Sequence, residues 1–437
     1  MASGSGHRGV LTRLSTSMRP MTEGATVTPL ELFFDLVFVY ALTQVTSLMA
    51  ADLSWRGVLH GVLVLALLWW CWCCYAWLGN TIRVDEGAVR VVLFCVMAVM
   101  FVVAVTIPEA FEDFPGGLYG PAVFASCYLI VRVLHLVLYW HASSGHPGIR
   151  RQVLRAAVPM LAGATMLFSA AFIPEFFPDD QAGNILTTLW VLALAVDYGG
   201  IMAIGAQGWE IFSATHWAER HGLIIIIALG ESVVSIGVGI TALPISWPII
   251  VASAMGIAIA AALWWAYFDV VAIAAERVLA RAQGAERAAL GRDSYTYLHL
   301  PMVAGIILLS LGLKKALEYV GDPAEHDLSD ALYGIGLYAL YGGVILYLLG
   351  HFGFRLRNMH SVNWPRIAAM VLLLALLPVA ARVPALAALG MLTAVCVGLI
   401  VVEVVLFREA RRALRTAVIA DHAPHPEPAD PAPDSRA

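Results

Sequence analysis

Runs of apolar residues recur along the chain from residue 30 to residue 407, broken by short clusters rich in charge, Gly and Pro. A helix crossing a hydrocarbon core about 30 Å thick needs roughly 20 mostly apolar residues. Twelve segments meet that length: 30–50, 57–78, 88–108, 119–141, 153–174, 183–204, 221–241, 246–271, 295–317, 328–353, 364–381 and 384–407. Lipid offers no partner to open backbone groups, so each segment is expected to be helical. A membrane barrel would need short alternating strands, and runs such as Leu223–Leu229 do not alternate. The pattern predicts an all-α polytopic membrane protein of about 12 transmembrane helices.

Composition narrows the choice of function. The 437 residues are 60% hydrophobic and 13% charged, against about 25% charged in soluble chains. So few charges cannot cover a water-facing surface, which excludes a soluble enzyme and a nucleic-acid binder. The partners expected are membrane lipids and a small ion or solute, with association as a homodimer left open. No cofactor is expected.

Charge placement sets the orientation. With the N-terminus in the cytoplasm, 21 of the 26 positive residues fall on the cytoplasmic side, including Arg150, Arg151, Arg220, Arg366 and the basic stretches Arg277–Arg292 and Arg408–Arg415. The opposite loops are acidic, as at Glu109, Glu112 and Asp113. This bias predicts an inner-membrane protein with both termini inside. Residues 1–25 and 411–437 read as cytoplasmic tails, the latter basic and then rich in Pro and Asp, and both are expected to be disordered. All six cysteines fall within predicted spans, where Cys71-Trp72-Cys73-Cys74 reads as packing.

The chain also reads as doubled. Glu31–Ser47 aligns with Ala218–Val234, placing Ala41-Leu42 on Ala228-Leu229 and Gln44 on Glu231. Leu68-Trp69-Trp70 is matched by Leu263-Trp264-Trp265, and Asp197 by Glu403. Two parallel six-helix repeats are therefore expected, over residues 26–207 and 208–410.

Ionisable groups inside spans are costly and mark polar interiors or cavities. Glu31 and Asp35 share one helical face, with Tyr40, Thr43, Gln44 and Ser47 on a second polar stripe, so this helix is expected inside the bundle, with neither side facing lipid. Glu31 can also simply complement its helix N-terminus. His221, Glu231, Ser232 and Ser235 fall on one arc of the seventh span. A carboxylate at mid-bilayer such as Glu231 must be paired, protonated or wetted. Its structural alternative is an ion pair with Arg132, the only Arg that the pattern places away from the ends of a span. Arg132 and His135 share a face of the fourth span. Asp197, Asp269, His299 and His351 join Asp35 and His221 in an expected cytoplasm-facing polar vestibule. The Trp-rich second and eighth spans read as packing. No phosphate loop, GxSxG elbow or HExxH pair is present, and Cys71 and Cys74, although at CxxC spacing, lie in mid-span and read as packing.

Two stretches carry a family resemblance. Leu30-Glu31-Leu32-Phe33-Phe34-Asp35-Leu36-Val37-Phe38-Val39 and Glu219-Arg220-His221-Gly222, continuing to Gly230-Glu231-Ser232, resemble the bacterial low temperature requirement protein A (LtrA) family. That resemblance covers nearly everything from residue 25 to residue 410. It implies a multi-pass inner-membrane protein associated by name with growth in the cold, with Glu31, Phe34 and Gly230 as motif positions. Phe34-Asp35-Leu36-Val37-Phe38 is also similar to the first-helix motif of the lysosomal potassium channel family, which has six-helix repeats with a pore lined by the first helix of each. Here Phe33-Phe34-Asp35 replaces Phe-Ser-Asp, the motif's own Arg is missing upstream, and His221-Gly222 occupies the place of the second repeat's Asp.

The expected function is a transporter or channel for protons, a small cation or a proton-coupled solute. Its polar path would use Asp35, Gln44, Arg132, His135, Asp197, His221, Glu231 and Ser232. The alternative is a sensor or scaffold for cold adaptation that works through its basic cytoplasmic loops. No catalytic constellation is readable.

Overall fold

The computed structural model describes residues 19–241, 243–409, 411–413 and 416. Of the expected tails 1–25 and 411–437, residues 1–18, 414–415 and 417–437 lie outside the described residues. Each predicted span is matched by a helix. These are α1 Pro29–Ala51, α2 Trp55–Thr81, α3 Gly87–Val105, α4 Gly120–Ala142, α5 Pro147–Ala170, α6 Asp179–Ile204, α7 Ala214–Gly239 and α8 Trp247–Phe268. After two short helices, α9 Val271–Arg281 and α10 Gly284–Leu290, come α11 His299–Gly321, α12 Gly334–Met359, α13 Trp364–Ala380 and α14 Ala385–Leu406. Among the described residues eleven helices are long and apolar enough to cross a membrane, and α13, at 17 residues, is shorter. No strand occurs among the described residues.

Local chemistry explains where several helices start. Thr28 and Glu31 form a capping box before α1, with Pro29 in the first turn. Ser54, Ser213, Ser246 and Asn363 each accept a backbone N–H at the starts of α2, α7, α8 and α13. Such caps satisfy donors that a helix leaves unpaired at its N-terminus.

Four expectations change. Helix α7 begins at Ala214 instead of near 221, because its first two turns bury paired charges and need no apolar sequence. Helix α1 does not have both sides enclosed: Phe33 and Leu36 are more than half exposed, giving it an outward apolar face. The basic connection after α8 is not a plain loop. It forms α9 and α10, then a π-helical segment Gly291–Tyr297 leading into α11. Helix α9 buries Val271, Ala275 and Leu279 on one stripe and leaves Arg277 and Arg281 off it, the pattern of an interfacial helix. Residues 19–25, read as tail, are bonded to the bundle. Arg83 N donates to Arg19 O at 2.9 Å, Met21 N to Thr81 O at 3.1 Å, and Ser213 Oγ to Ala25 O at 3.1 Å.

Helices α1 to α6 pack as neighbours 1–2, 1–3, 3–4, 4–5, 5–6, 2–4 and 2–6. The other six long helices pack as α7–α8, α7–α11, α11–α12, α12–α13, α13–α14 and α8–α14, with further contacts α8–α11 and α11–α14. The groups meet where α1 packs on α7 and α11. Both ends of the described chain lie on one face, tied by Arg19–Glu86 and Arg411–Asp269.

Candidate functional site: buried ion pairs and the Arg132 cavity

The capping box fixes Glu31 in the first turn of α1, and Asp35 follows one turn later on the same face. Across the interface α7 presents His216 and Arg220 at the same spacing. His216 Nε2 donates to Glu31 Oε1 at 2.9 Å, while Asn80 Nδ2 donates to His216 Nδ1 at 3.2 Å. Arg220 Nη1 donates to Asp35 Oδ2 at 3.0 Å and to Glu31 O at 3.1 Å. Trp72 Nε1 donates to the other Asp35 oxygen at 3.0 Å. All four charged or imidazole groups are buried. Gly79 leaves room for this clasp, since a Cβ there would stand 2.6 Å from Glu31 Oε1. Glu31 thus caps its helix and pairs across the interface, and both carboxylate oxygens of Asp35 are engaged by protein.

Deeper along the same interface, Glu231 Oε2 accepts from Thr43 Oγ1 at 2.6 Å and Oε1 from Ser235 Oγ at 2.9 Å. Ser310 Oγ donates to Ser232 Oγ at 3.3 Å. Among the described residues no cation lies within ion-pair distance of Glu231. Gln44 is half-buried and does not join this group. Phe34 packs on Phe38 and Tyr75, with ring centroids 5.4 and 5.3 Å apart. A Cβ at Gly230 would meet nothing within 4 Å, so packing does not require a glycine there.

Arg132 pairs with Asp197 of α6, not with Glu231. Its Nη2 lies 2.9 Å from Asp197 Oδ2, and its Nη1 lies 3.3 Å from Cys74 Sγ. Beside this pair a cavity of about 60 Å³ is lined by Trp70, Cys73, Cys74, Trp77, Arg132, His135 and Tyr139, with Ala206, Trp209 and Arg292 toward the terminal face. Three buried polar atoms on its lining residues have no hydrogen-bond partner: Arg132 Nε, His135 Nε2 and Trp70 Nε1. Buried polar groups are nearly always satisfied, and each orphan typically costs about 1–3 kcal/mol. All three belong to residues that line this one cavity. Here Cys73 and Cys74 line a cavity as well as pack, and the Trp-rich α2 supplies specific donors as well as bulk.

The expected vestibule is divided. Asp35 belongs to the α1–α7 clasp and Asp197 to the Arg132 pair. His221 sits among aromatic rings, with the centroids of Trp217, Trp72, Tyr295 and His299 at 4.6 to 5.2 Å, and His299 Nε2 meets Tyr267 Oη at 2.8 Å. His351 bonds Arg366, whose Nε and Nη2 donate to Glu403 at 2.7 and 3.0 Å. Of the residues expected to form the path, the structure brings Arg132, His135 and Asp197 together at the cavity, and Glu231 and Ser232 separately at the α1–α7–α11 interface.

Three residues escaped the sequence reading: His216, Arg220 and Arg366. Each stands near a helix start, where a positive charge counts toward topology. Arg132 is therefore not the only buried arginine within a helix. The available signal was spacing, since His216 and Arg220 repeat the four-residue interval of Glu31 and Asp35.

Residues 26–401 match the family described as bacterial low temperature requirement A protein (LtrA). The chain belongs to the LtrA family. The matched stretch contains the α1–α7 clasp, Glu231 and the Arg132–Asp197 pair, and it stops just short of Glu403. The chain is also 28% identical over 334 residues to an uncharacterized protein of Rhizobium meliloti (strain 1021), covering 73% of this chain and 75% of that one. The LtrA match and the apolar helices together make this a multi-pass membrane protein.

Proposed function

We propose that this LtrA-family protein moves a small solute across the inner membrane in exchange with protons, and that the Arg132 cavity is where the solute is held. The observation that carries this reading is the set of three unpartnered buried polar atoms, Arg132 Nε, His135 Nε2 and Trp70 Nε1, on residues lining one cavity inside the bundle. A cavity with guanidinium and indole donors suits a neutral or anionic molecule that accepts hydrogen bonds, and suits a small cation poorly. Glu231 is the proton-exchanging group in this reading. Held by two hydroxyls, it can gain or lose a proton without breaking an ion pair. Six neighbour contacts recur at matching places in the two helix groups, while α2–α4 in the first and α8–α11 and α11–α14 in the second have no counterpart; the shared six support a doubled transporter architecture over residues 26–207 and 208–410.

The test is flux in proteoliposomes loaded with a pH-sensitive dye and challenged with panels of small neutral and anionic solutes. Solute-dependent proton movement is expected for the wild type and is lost in Glu231→Gln, with the variant still monodisperse. Arg132→Gln is expected to abolish solute dependence as well. Unchanged flux in both variants sinks the reading. Normal flux chemistry aside, a cold-growth defect from neutralised Arg277–Arg292 but not from Glu231→Gln would favour the sensor or scaffold instead.

A further inference from the structure

A second cavity, of about 70 Å³, lies where α8, α12, α13 and α14 converge on the terminal face. Its charged lining is Asp269, Arg355, Arg366, Glu403 and Arg411, with the rings of Trp265 and Phe407 as apolar walls. Three guanidinium groups thus face two carboxylates. Arg366 is committed: it donates to both Glu403 oxygens and to Ala266 O at 3.0 Å, and it bonds His351. Arg411 is paired with Asp269. Arg355 is different. Its Nε donates to Ser361 Oγ at 3.1 Å and its guanidinium lies 5.6 Å from the Phe407 ring centroid, with no carboxylate within ion-pair distance among the described residues.

We propose that this cavity binds a phosphate-bearing anion, with Arg355 as the group that selects for its charge. A guanidinium presents forked donors that match phosphate oxygens, and such charge-assisted bonds are stronger than neutral ones. The surplus positive charge would be balanced by the bound anion. Basic pockets between helices at a membrane surface suit anionic headgroups, and exposed aromatic rings suit the same depth. Trp264 and Trp265 are both over one-third exposed, and Val405 and Leu406 beside the cavity are more than 60% exposed. An anionic phospholipid could therefore place its headgroup at Arg355 while its chains lie along α14. Free inorganic phosphate offers the same chemistry from the aqueous side.

This cavity shares part of its lining pattern with the Arg132 cavity, although its paired arginine comes from the fifth helix of its group instead of the fourth. In the doubled alignment Trp265 matches Trp70 and Glu403 matches Asp197, and in each group a buried arginine pairs with that carboxylate. The first cavity carries orphan hydrogen-bond donors, and the second carries surplus charge. The two are thus specialised differently, and the assignment of the second does not depend on transport through the first.

The experiment uses the full-length protein purified in detergent. Native mass spectrometry after mixing with phosphatidylglycerol or phosphatidylcholine vesicles reads lipid retention, and thermal unfolding with added inorganic phosphate reads free-anion binding. Phosphatidylglycerol is expected to be retained over phosphatidylcholine. Arg355→Gln is expected to lower that retention about tenfold, the scale of one charge-assisted contact, and Arg355→Lys to lower it less. Arg90→Gln, an exposed change on the same face, is expected to leave it unchanged. If phosphate instead raises the wild-type unfolding temperature but not that of Arg355→Gln, the site is an anion site fed from water. Equal behaviour of wild type and Arg355→Gln with both probes, or no preference by the wild type for either probe, overturns the proposal. Should Arg355→Gln lose its monodisperse profile, Arg355→Lys replaces it under the same criteria.

Discussion

Arg220 is about 1% exposed and its terminal nitrogen binds Asp35, so removing one partner strands the other in a low-dielectric interior. Breaking a buried pair this way typically costs about 3–5 kcal/mol, whereas replacing both partners by apolar groups is often close to neutral. Asp35→Asn should therefore lower the temperature at which the detergent-solubilised protein loses its monodisperse peak, and Asp35→Leu with Arg220→Met should recover most of the loss. A double variant as unstable as the single one would show that the pair is not what α1 and α7 depend on. The tryptophans of α2 allow a finer contrast. Trp72 Nε1 serves a buried carboxylate, so Trp72→Phe should cost about 1.5–3 kcal/mol, the range for bonds to charged groups. Trp70 Nε1 has no partner, so Trp70→Phe should change the same unfolding temperature little. Acidic residues inside spans were legible from sequence because nothing else explains a carboxylate among apolar neighbours. Their partners were not, because His216 and Arg220 lie 185 residues away and resemble topology-setting charges at a helix end.

At the scale of elements, hydrophobic length made twelve helices readable. It does not register amphipathic or irregular pieces, so α9, α10 and the π-helical segment before α11 were hidden within a basic connection. Nor does it show which helices touch. The closest backbone approach is between α11 and α12. A Cβ at Gly305 would stand 2.5 Å from Tyr347 N, one at Gly343 2.5 Å from Leu309 N, and one at Gly312 2.4 Å from Leu340 N. Small residues let membrane helices meet backbone to backbone, where packing rather than hydrophobicity drives association. Gly342, one position along, has open space at the same place. Gly343→Ala should therefore destabilise by at least the ~1–3 kcal/mol of ordinary overpacking, and Gly342→Ala should not. The adjacent pair controls for the helix propensity gained on replacing glycine, because both variants gain it. Equal unfolding temperatures for the two would mean that the α11–α12 contact relaxes without loss.

For the whole molecule, charge is sorted by height. The face that carries both described termini also carries Arg19, Arg83, Arg287, Arg292, Arg357 and Arg411, each in an ion pair there. Cytoplasmic loops favour Lys and Arg, so the proposed orientation puts this face inside and the loops around Glu109–Asp113 outside. Both cavities then sit toward the cytoplasmic half, the Arg132 cavity through Trp209 and Arg292 and the Arg355 cavity through the ends of α12 and α14. Two exposed loop positions test the orientation directly: Gly117 before α4 and Ser144 after it. In intact spheroplasts a membrane-impermeant thiol reagent should label Gly117→Cys, and it should reach Ser144→Cys only after the membrane is opened. The native cysteines do not confuse the result, since all six lie within the membrane-crossing helices. The reverse labelling would invert the protein and turn both cavities outward. Solute would then be captured from outside, and the phosphate-bearing ligand of Arg355 would have to come from the outer leaflet.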